Sequence, residues 1–223
     1  MKRISESSTV SIPVGRHWIL GDLTVPVDRN GAVIFAHGSG SSRHSPRNKY
    51  VAEVLNRGGF ATLLIDLLTA QEERVDMRTA EHRFDIELLS NRLVTATDWA
   101  DKQPALSGLS LGYFGASTGA AAALVAAAER PQRTGAVVSR GGRPDLAGDW
   151  LGKVAAPTLF IVGELDHEVI TLNREAAEKL RAPYEIALVA GATHLFEEEG
   201  ALEHVAALAC EWFQENLVYR QAA

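Results

Sequence analysis

Between residues 10 and 25 the apolar positions alternate: Val10, Ile12 and Val14, then, past a turn near Gly15-Arg16, Ile19, Leu23 and Val25. A period of two sends successive side chains to opposite faces, so two such runs around a tight turn predict a half-exposed antiparallel hairpin at one edge of a sheet. From Gly31 the pattern changes. Residues 32–36, 61–65, 111–114, 136–138, 158–162 and 184–189 form short, nearly continuous apolar runs, which suit strands buried on both faces. Helical spacing takes over between them. Ser45 caps a predicted helix that starts on Pro46, turns Val51, Val54 and Leu55 inward and stops at Gly58-Gly59. Ile86, Leu89, Leu93, Ala96 and Ala100 make one further apolar stripe, and Leu202, Val205, Ala209, Trp212 and Phe213 another. The charge-rich segment 69–81 reads as a long loop, either solvated or able to fold over a binding site. Alternation of strand and helix predicts an α/β fold: a mostly parallel, twisted sheet with an N-terminal antiparallel hairpin and helices on both faces.

Composition narrows this picture. A chain of 223 residues that is 46% hydrophobic can bury a sizeable core and fits one domain over 1–223, with no repeat or low-complexity linker to divide it. A formal net charge of -6 argues against a general nucleic-acid binder, which carries a basic face. Cys210 is the only cysteine, which excludes an intramolecular disulfide framework and fits a reducing compartment. No run approaches the ~18 apolar residues of a membrane span, and residues 1–8 lack an apolar signal core. The expectation is a soluble, cytoplasmic protein without a membrane or nucleic-acid partner.

Candidate chemistry centres on Gly115-Ala116-Ser117-Thr118-Gly119, which lies between a predicted strand and an alanine-rich helix. G-x-S-x-G in that setting is the nucleophile elbow of an α/β-hydrolase, a sharp turn that lifts a serine hydroxyl above the sheet. A second match, Gly108-Leu109-Ser110-Leu111-Gly112, competes with it. Taking Ser110 as nucleophile would put Lys102, Gln103 and Pro104 in the preceding strand and two glycines in the helix, both poor choices. Ser117 is therefore preferred.

In an open α/β sheet ligands bind beyond the carboxyl ends of the strands, so the residues leaving each strand are the informative ones. After the first parallel strand comes His37-Gly38-Ser39-Gly40-Ser41-Ser42, whose small residues expose backbone N–H groups as an oxyanion hole requires. The backbone N–H groups of Ser39 and Thr118 are the expected donors. His37 and Gly38 are placed to line the site, although a histidine at a strand exit also suits a purely structural role in shaping the loop. No G-K-[ST] follows the glycines, against a phosphate-binding loop. Asp166 follows the strand 158–162 and His194 the strand 184–189, completing the order Ser117, Asp166, His194 of an α/β-hydrolase triad. Glu164 is the competing acid, and a helix cap near Val169 is the alternative role for Asp166. His82 and His167 lack the spacings of a zinc site, so neither metal nor cofactor is expected.

Arg43, Arg140 and Arg143 also leave the carboxyl ends of parallel strands and are candidates for contacting an anionic part of a substrate. Pairing of Arg140 or Arg143 with Asp145 is the structural alternative.

Four segments together resemble the dienelactone-hydrolase-related α/β-hydrolases: Val33-Ile34-Phe35-Ala36-His37-Gly38-Ser39-Gly40, the elbow, Val162-Gly163-Glu164-Leu165-Asp166 and Gly191-Ala192-Thr193-His194. Asp66-Leu67-Leu68-Thr69, Arg83-Phe84-Asp85-Ile86 and Ser139-Arg140-Gly141-Gly142-Arg143-Pro144-Asp145 are similar to a bacterial branch whose members are also found fused to phosphoribosyltransferase domains. The resemblance implies a serine hydrolase without a cap domain, since only residues 140–156 separate two strands where other relatives insert a lid. Dienelactone hydrolases proper use a cysteine nucleophile where Ser117 stands, which points away from dienelactone and toward ester, thioester or amide hydrolysis. A catalytically idle scaffold that binds a small molecule or docks a partner is the alternative, because fold alone does not fix function.

Overall fold

A computed structural model describes residues 6–217; the terminal residues 1–5 and 218–223, part of the expected 1–223 domain, lie outside that description. The hairpin is present as β1 (Glu6–Val14) and β2 (His17–Val25), paired antiparallel with Ile12 opposite Ile19. β2 then pairs antiparallel with β4 (Phe60–Ile65), joining the hairpin to a parallel set. That set comprises β3 (Gly31–Ala36), β4, β5 (Leu111–Ala116), β6 (Thr134–Arg140), β7 (Thr158–Gly163) and β8 (Tyr184–Val189). The eight strands run in the order β1-β2-β4-β3-β5-β6-β7-β8. Chain order reverses around β3, so the loops after β3 and β5 open side by side where ligands of such sheets bind.

Helices cover both faces. On one face α1 (Pro46–Arg57) and α6 (Ala201–Asn216) bury Val51, Leu55, Val205, Ala209 and Phe213 against Val33, Phe35, Phe114 and Val138. On the other, α3 (Ile86–Ala100) and α4 (Thr118–Glu129) bury Leu93, Ala96 and the alanine run 121–123 against Ile34, Tyr113 and Val137. The alternation of Val137 and Val138 between these cores is the period-two signature of a strand buried on both sides. α5 (His167–Ala177) flanks the β8 edge, and between β6 and β7 the chain forms only short 3-10 turns within Pro144–Lys153, with no cap domain.

Two sequence expectations are corrected. Segment 69–81 is not a loop: α2 (Ala70–Thr79) forms there, with a reciprocal capping box in which Thr69 accepts from the Glu72 N–H and Glu72 accepts from the Thr69 N–H. Its one fully buried residue is the polar Asp76, so the helix lacks the apolar stripe that would have revealed it. Residues 184–189 do form a strand, but it lies at the sheet edge and leaves Tyr184 and Leu188 45% and 41% exposed rather than enclosed on both faces.

Candidate active site

Ser117 lies between the last residue of β5 and the first of α4, with φ 50° and ψ -122°. A β-substituted residue in that region is strained by ~1–3 kcal/mol, a state that persists only where its surroundings enforce it. The enforcement is visible. A Cβ on Gly115 would come within 2.6 Å of the Gly119 carbonyl oxygen, and one on Gly119 within 2.5 Å of the His37 carbonyl oxygen, so only glycine lets β5, α4 and the loop after β3 approach this closely. The Ser117 N–H donates to the Arg140 carbonyl (3.2 Å), and the Ser117 carbonyl accepts from the Arg143 N–H (3.1 Å), clamping the turn to the exit of β6. Ser117 occupies the N-cap position of α4 without making a side-chain cap bond. Ser110 sits at the amino end of β5, where its carbonyl accepts from the Ala32 N–H (2.9 Å), away from the carboxyl ends of the parallel strands.

The loops after β7 and β8 bring Asp166 and His194 together. His194 Nδ1–H donates to Asp166 Oδ2 at 2.7 Å, with side-chain exposures of 40% for His194 and 15% for Asp166. Asp166 stands at the N-cap of α5 but makes no capping bond, so its carboxylate serves the imidazole and not the helix. The loops are locked to each other: the Leu165 N–H donates to the Ala192 carbonyl (3.0 Å), and a Cβ on Gly163 would fall 2.6 Å from the Thr193 carbonyl oxygen. Glu164 accepts from the Gly191 N–H (2.9 Å) and shapes the turn before His194. His194 also packs on the β6 exit, where a Cβ on Gly141 would lie 3.6 Å from its Cε1. No hydrogen bond joins the Ser117 hydroxyl to His194 in this conformation, as is common before substrate tightens a site.

The loop after β3 packs directly on Ser117, since a Cβ on Gly38 would lie 3.1 Å from the Ser117 Cβ. His37 is buried and uses both ring nitrogens: Nδ1–H donates to the Gly38 carbonyl (2.9 Å), and Nε2 accepts from the Leu67 N–H (3.1 Å). Burial pushes its pKa down, which keeps the ring neutral in that arrangement. His37 therefore braces the loop against the exit of β4. Asp66 adds a second brace, accepting from the Arg43 N–H (2.9 Å) and from the Arg43 guanidinium. Neither the Ser39 nor the Thr118 backbone N–H has a protein acceptor among the described residues. α2 stands over this loop, and Glu73 on it shares with His37, Arg43, Asp66, Leu68 and Trp18 a cleft of about 350 Å³.

The three candidate arginines part company. Arg43 is paired with Asp66 and, at 3.4 Å, with Asp22; Arg143 holds Asp145 through two bonds of 2.9 and 2.8 Å, which raise its pKa. Arg140 has no carboxylate partner among the described residues and is buried against Asn48 and Phe196. The sequence reading missed two supports of this region. Asn173, buried on α5, donates to the Gly142 carbonyl (3.0 Å) and so holds the turn between Arg140 and Arg143, and Asp76 receives the backbone N–H groups of His82 and Arg83 and the Arg83 guanidinium. A buried asparagine in an otherwise apolar helix face was the available signal for the first; none marked the second. Among the described residues no cluster of three or more His, Cys, Asp or Glu side chains is placed to hold a metal, and no helix is long and apolar enough to cross a membrane.

Known proteins match this architecture closely. The structure of a dienelactone hydrolase from Anabaena variabilis is 57% identical and superposes with a TM-score of 0.94, covering 96% of this chain and 99% of that one. Est1E from Butyrivibrio proteoclasticus shares the fold at 17% identity, with a TM-score of 0.77 over 94% of this chain and 98% of its own. A Mycobacterium tuberculosis protein provisionally named a phosphoribosyl transferase is 57% identical over 208 residues, 93% of this chain but 46% of the relative, so the chain spans about half the length of that protein. The sequence profile described as the dienelactone hydrolase family matches residues 23–219, a stretch that holds the elbow, both loops that carry Asp166 and His194, and the glycine loop after β3. The chain belongs to the dienelactone hydrolase family.

Proposed function

We propose that the chain is a serine hydrolase that cleaves a small ester or thioester through an acyl-enzyme. The observation that carries this reading is the 2.7 Å Asp166–His194 bond beside a serine held at positive φ. With its Nδ1–H fixed by Asp166, neutral His194 presents an unprotonated Nε2, the form that accepts the Ser117 proton as Oγ attacks the acyl carbon. The C=O electron pair moves onto oxygen, where the N–H groups of Ser39 and Thr118 and the amino end of α4 stabilise the developing charge. Collapse of the tetrahedral intermediate breaks the bond to the leaving oxygen or sulfur, which takes the proton from His194. Water then attacks the acyl-enzyme by the same route, its proton passing to His194 and on to Ser117 Oγ. Leu165 and Leu195 are both exposed next to Asp166 and His194, which supports an apolar acyl or leaving group in an uncapped site. The transferase name belongs to relatives twice this length and is not carried over to this chain.

Purified protein assayed against p-nitrophenyl esters and acyl thioesters of increasing chain length tests the reading. The expected result is saturable hydrolysis, with the first turnover releasing p-nitrophenol in a burst. Turnover no greater than that of Ser117→Ala across the series, from a folded protein, would favour a scaffold that binds without catalysis.

A further inference from the structure

Arg140 is 7% exposed, and its Nε is buried without a hydrogen-bond partner. Its protein contacts are a long bond from Nη2 to Asn48 Oδ1 (3.4 Å) and the Phe196 ring, whose centroid is 5.9 Å from the guanidinium carbon. Arg47 lies close enough to repel it, and burial together with that charge lowers the Arg140 pKa to about 10, which leaves it charged at neutral pH. The Arg47 Nε is also buried and unpartnered, and its one counter-ion among the described residues is the exposed Glu197, at 3.0 Å. Both arginines meet the amino end of α1, where Ser45 caps, Pro46 opens the helix and no acidic residue occupies the first turn. Among the described residues, two guanidiniums and a helix amino terminus thus share a single, solvent-facing carboxylate.

A buried guanidinium without an acid is unfavourable, and an apolar side chain of similar volume would fill the same space without that penalty. Arg43 and Arg143 show how this chain treats structural arginines: each has its carboxylate. Arg140 ends β6, its carbonyl accepts from the Ser117 N–H, and Phe196 and Glu197 belong to the loop that carries His194. The region is thus joined through the backbone to the candidate nucleophile and to the His194 loop.

We propose that Arg140, Arg47 and the first turn of α1 form a subsite for an oxyanion, the carboxylate or phosphate of the substrate, with Glu197 giving way to it at Arg47. Placing the anion on the substrate rests on the hydrolase reading; binding of the anion does not. The planar fork of Arg140 suits two oxygens of one group, and at the helix end the Arg47 N–H is the donor left over, since Pro46 has none and those of Asn48 and Lys49 go to Ser45.

The test uses the full chain at low ionic strength, titrated calorimetrically with inorganic phosphate and, separately, acetate, with sodium chloride as the ionic-strength control. Saturable binding of one anion is expected, and whichever binds more tightly identifies the class. Arg140→Met should abolish it and Arg47→Met weaken it at least tenfold, while Arg133→Met, which breaks a distant pair with Asp101, should bind like the parent. The bound anion should also raise KM for ester hydrolysis without lowering kcat. Absence of binding by both anions, or binding that survives in Arg47→Met and Arg140→Met, overturns the subsite; if Arg140→Met does not fold, Arg47→Met decides alone. Inhibition that lowers kcat at constant KM removes the anion from the substrate. If no ester is turned over, the hydrolase reading fails while the binding arm still decides the subsite.

Discussion

Gly119→Ala probes how the elbow and the oxyanion loop depend on each other. The added Cβ would lie 2.5 Å from the His37 carbonyl oxygen and closer still to that of Ala36. Carbon and carbonyl oxygen settle at ~3.3 Å, so the loop after β3 must retreat from α4 by at least ~0.8 Å. Both obstructing atoms are backbone, and rotamer changes cannot relieve them. That retreat separates the Ser39 N–H from the Thr118 N–H, and a misplacement of about 1 Å at reacting groups lowers rates about 100-fold. Overpacking of this kind costs about 1–3 kcal/mol, and for a chain of this size each kcal/mol lowers Tm by about 2–4 °C. Gly152→Ala is the control, because a Cβ there meets nothing nearer than the Lys179 carbonyl oxygen at 3.7 Å. Ester hydrolysis and thermal melts on both variants decide the matter. A Gly119→Ala protein with kcat within threefold of the parent and an unchanged Tm would refute the close-approach argument.

Asp166→Asn should lower kcat by about 10⁴ by holding His194 in the wrong tautomer, whereas Glu164→Gln, which alters only an exposed turn bond to Gly191, should lower it less than tenfold by the same assay. Tyr113→Phe removes the buried bond between Tyr113 Oη and Thr97 Oγ1 (2.5 Å) and should cost about 1 kcal/mol, read as a fall in Tm with kcat unaffected. His37 has its folded pKa pushed below the unfolded value of about 6.5, so the unfolded chain takes up the extra proton first and stability falls as pH drops from about 6.5 toward the folded value. Melts between pH 7.5 and 5.5 should show that loss, and His37→Gln should flatten it; an equal slope in both proteins would assign the effect elsewhere.

The sheet, and the strand exits on which the candidate site stands, are legible because their signals are local. Continuous apolar runs mark the central strands, and the G-x-S-x-G turn together with the residues that follow the later strands brings forward Ser117, Asp166 and His194 as candidates. α2 was not legible, because helicity was sought as an apolar stripe while this helix is held by a capping box and by the buried Asp76. The signal was present as Thr69 followed three residues later by Glu72. The exposure of β8 could not be read either: Tyr184-Glu185-Ile186-Ala187-Leu188-Val189 looks internal, and only the lateral order of strands makes it an edge. Ion-pair partners are long-range facts of the same kind. Asp66 lies 23 residues from Arg43, and nothing in the sequence separated that paired arginine from the unpaired Arg140.

The central claim is that Ser117 is the nucleophile of a hydrolase. A fluorophosphonate probe, which forms a covalent bond only with an activated serine, followed by peptide mass spectrometry, tests it most directly. The account predicts one adduct per chain, on Ser117, that is absent in Ser117→Ala and slowed in Asp166→Asn. An adduct on Ser110, or none on a protein that melts cooperatively, would contradict it.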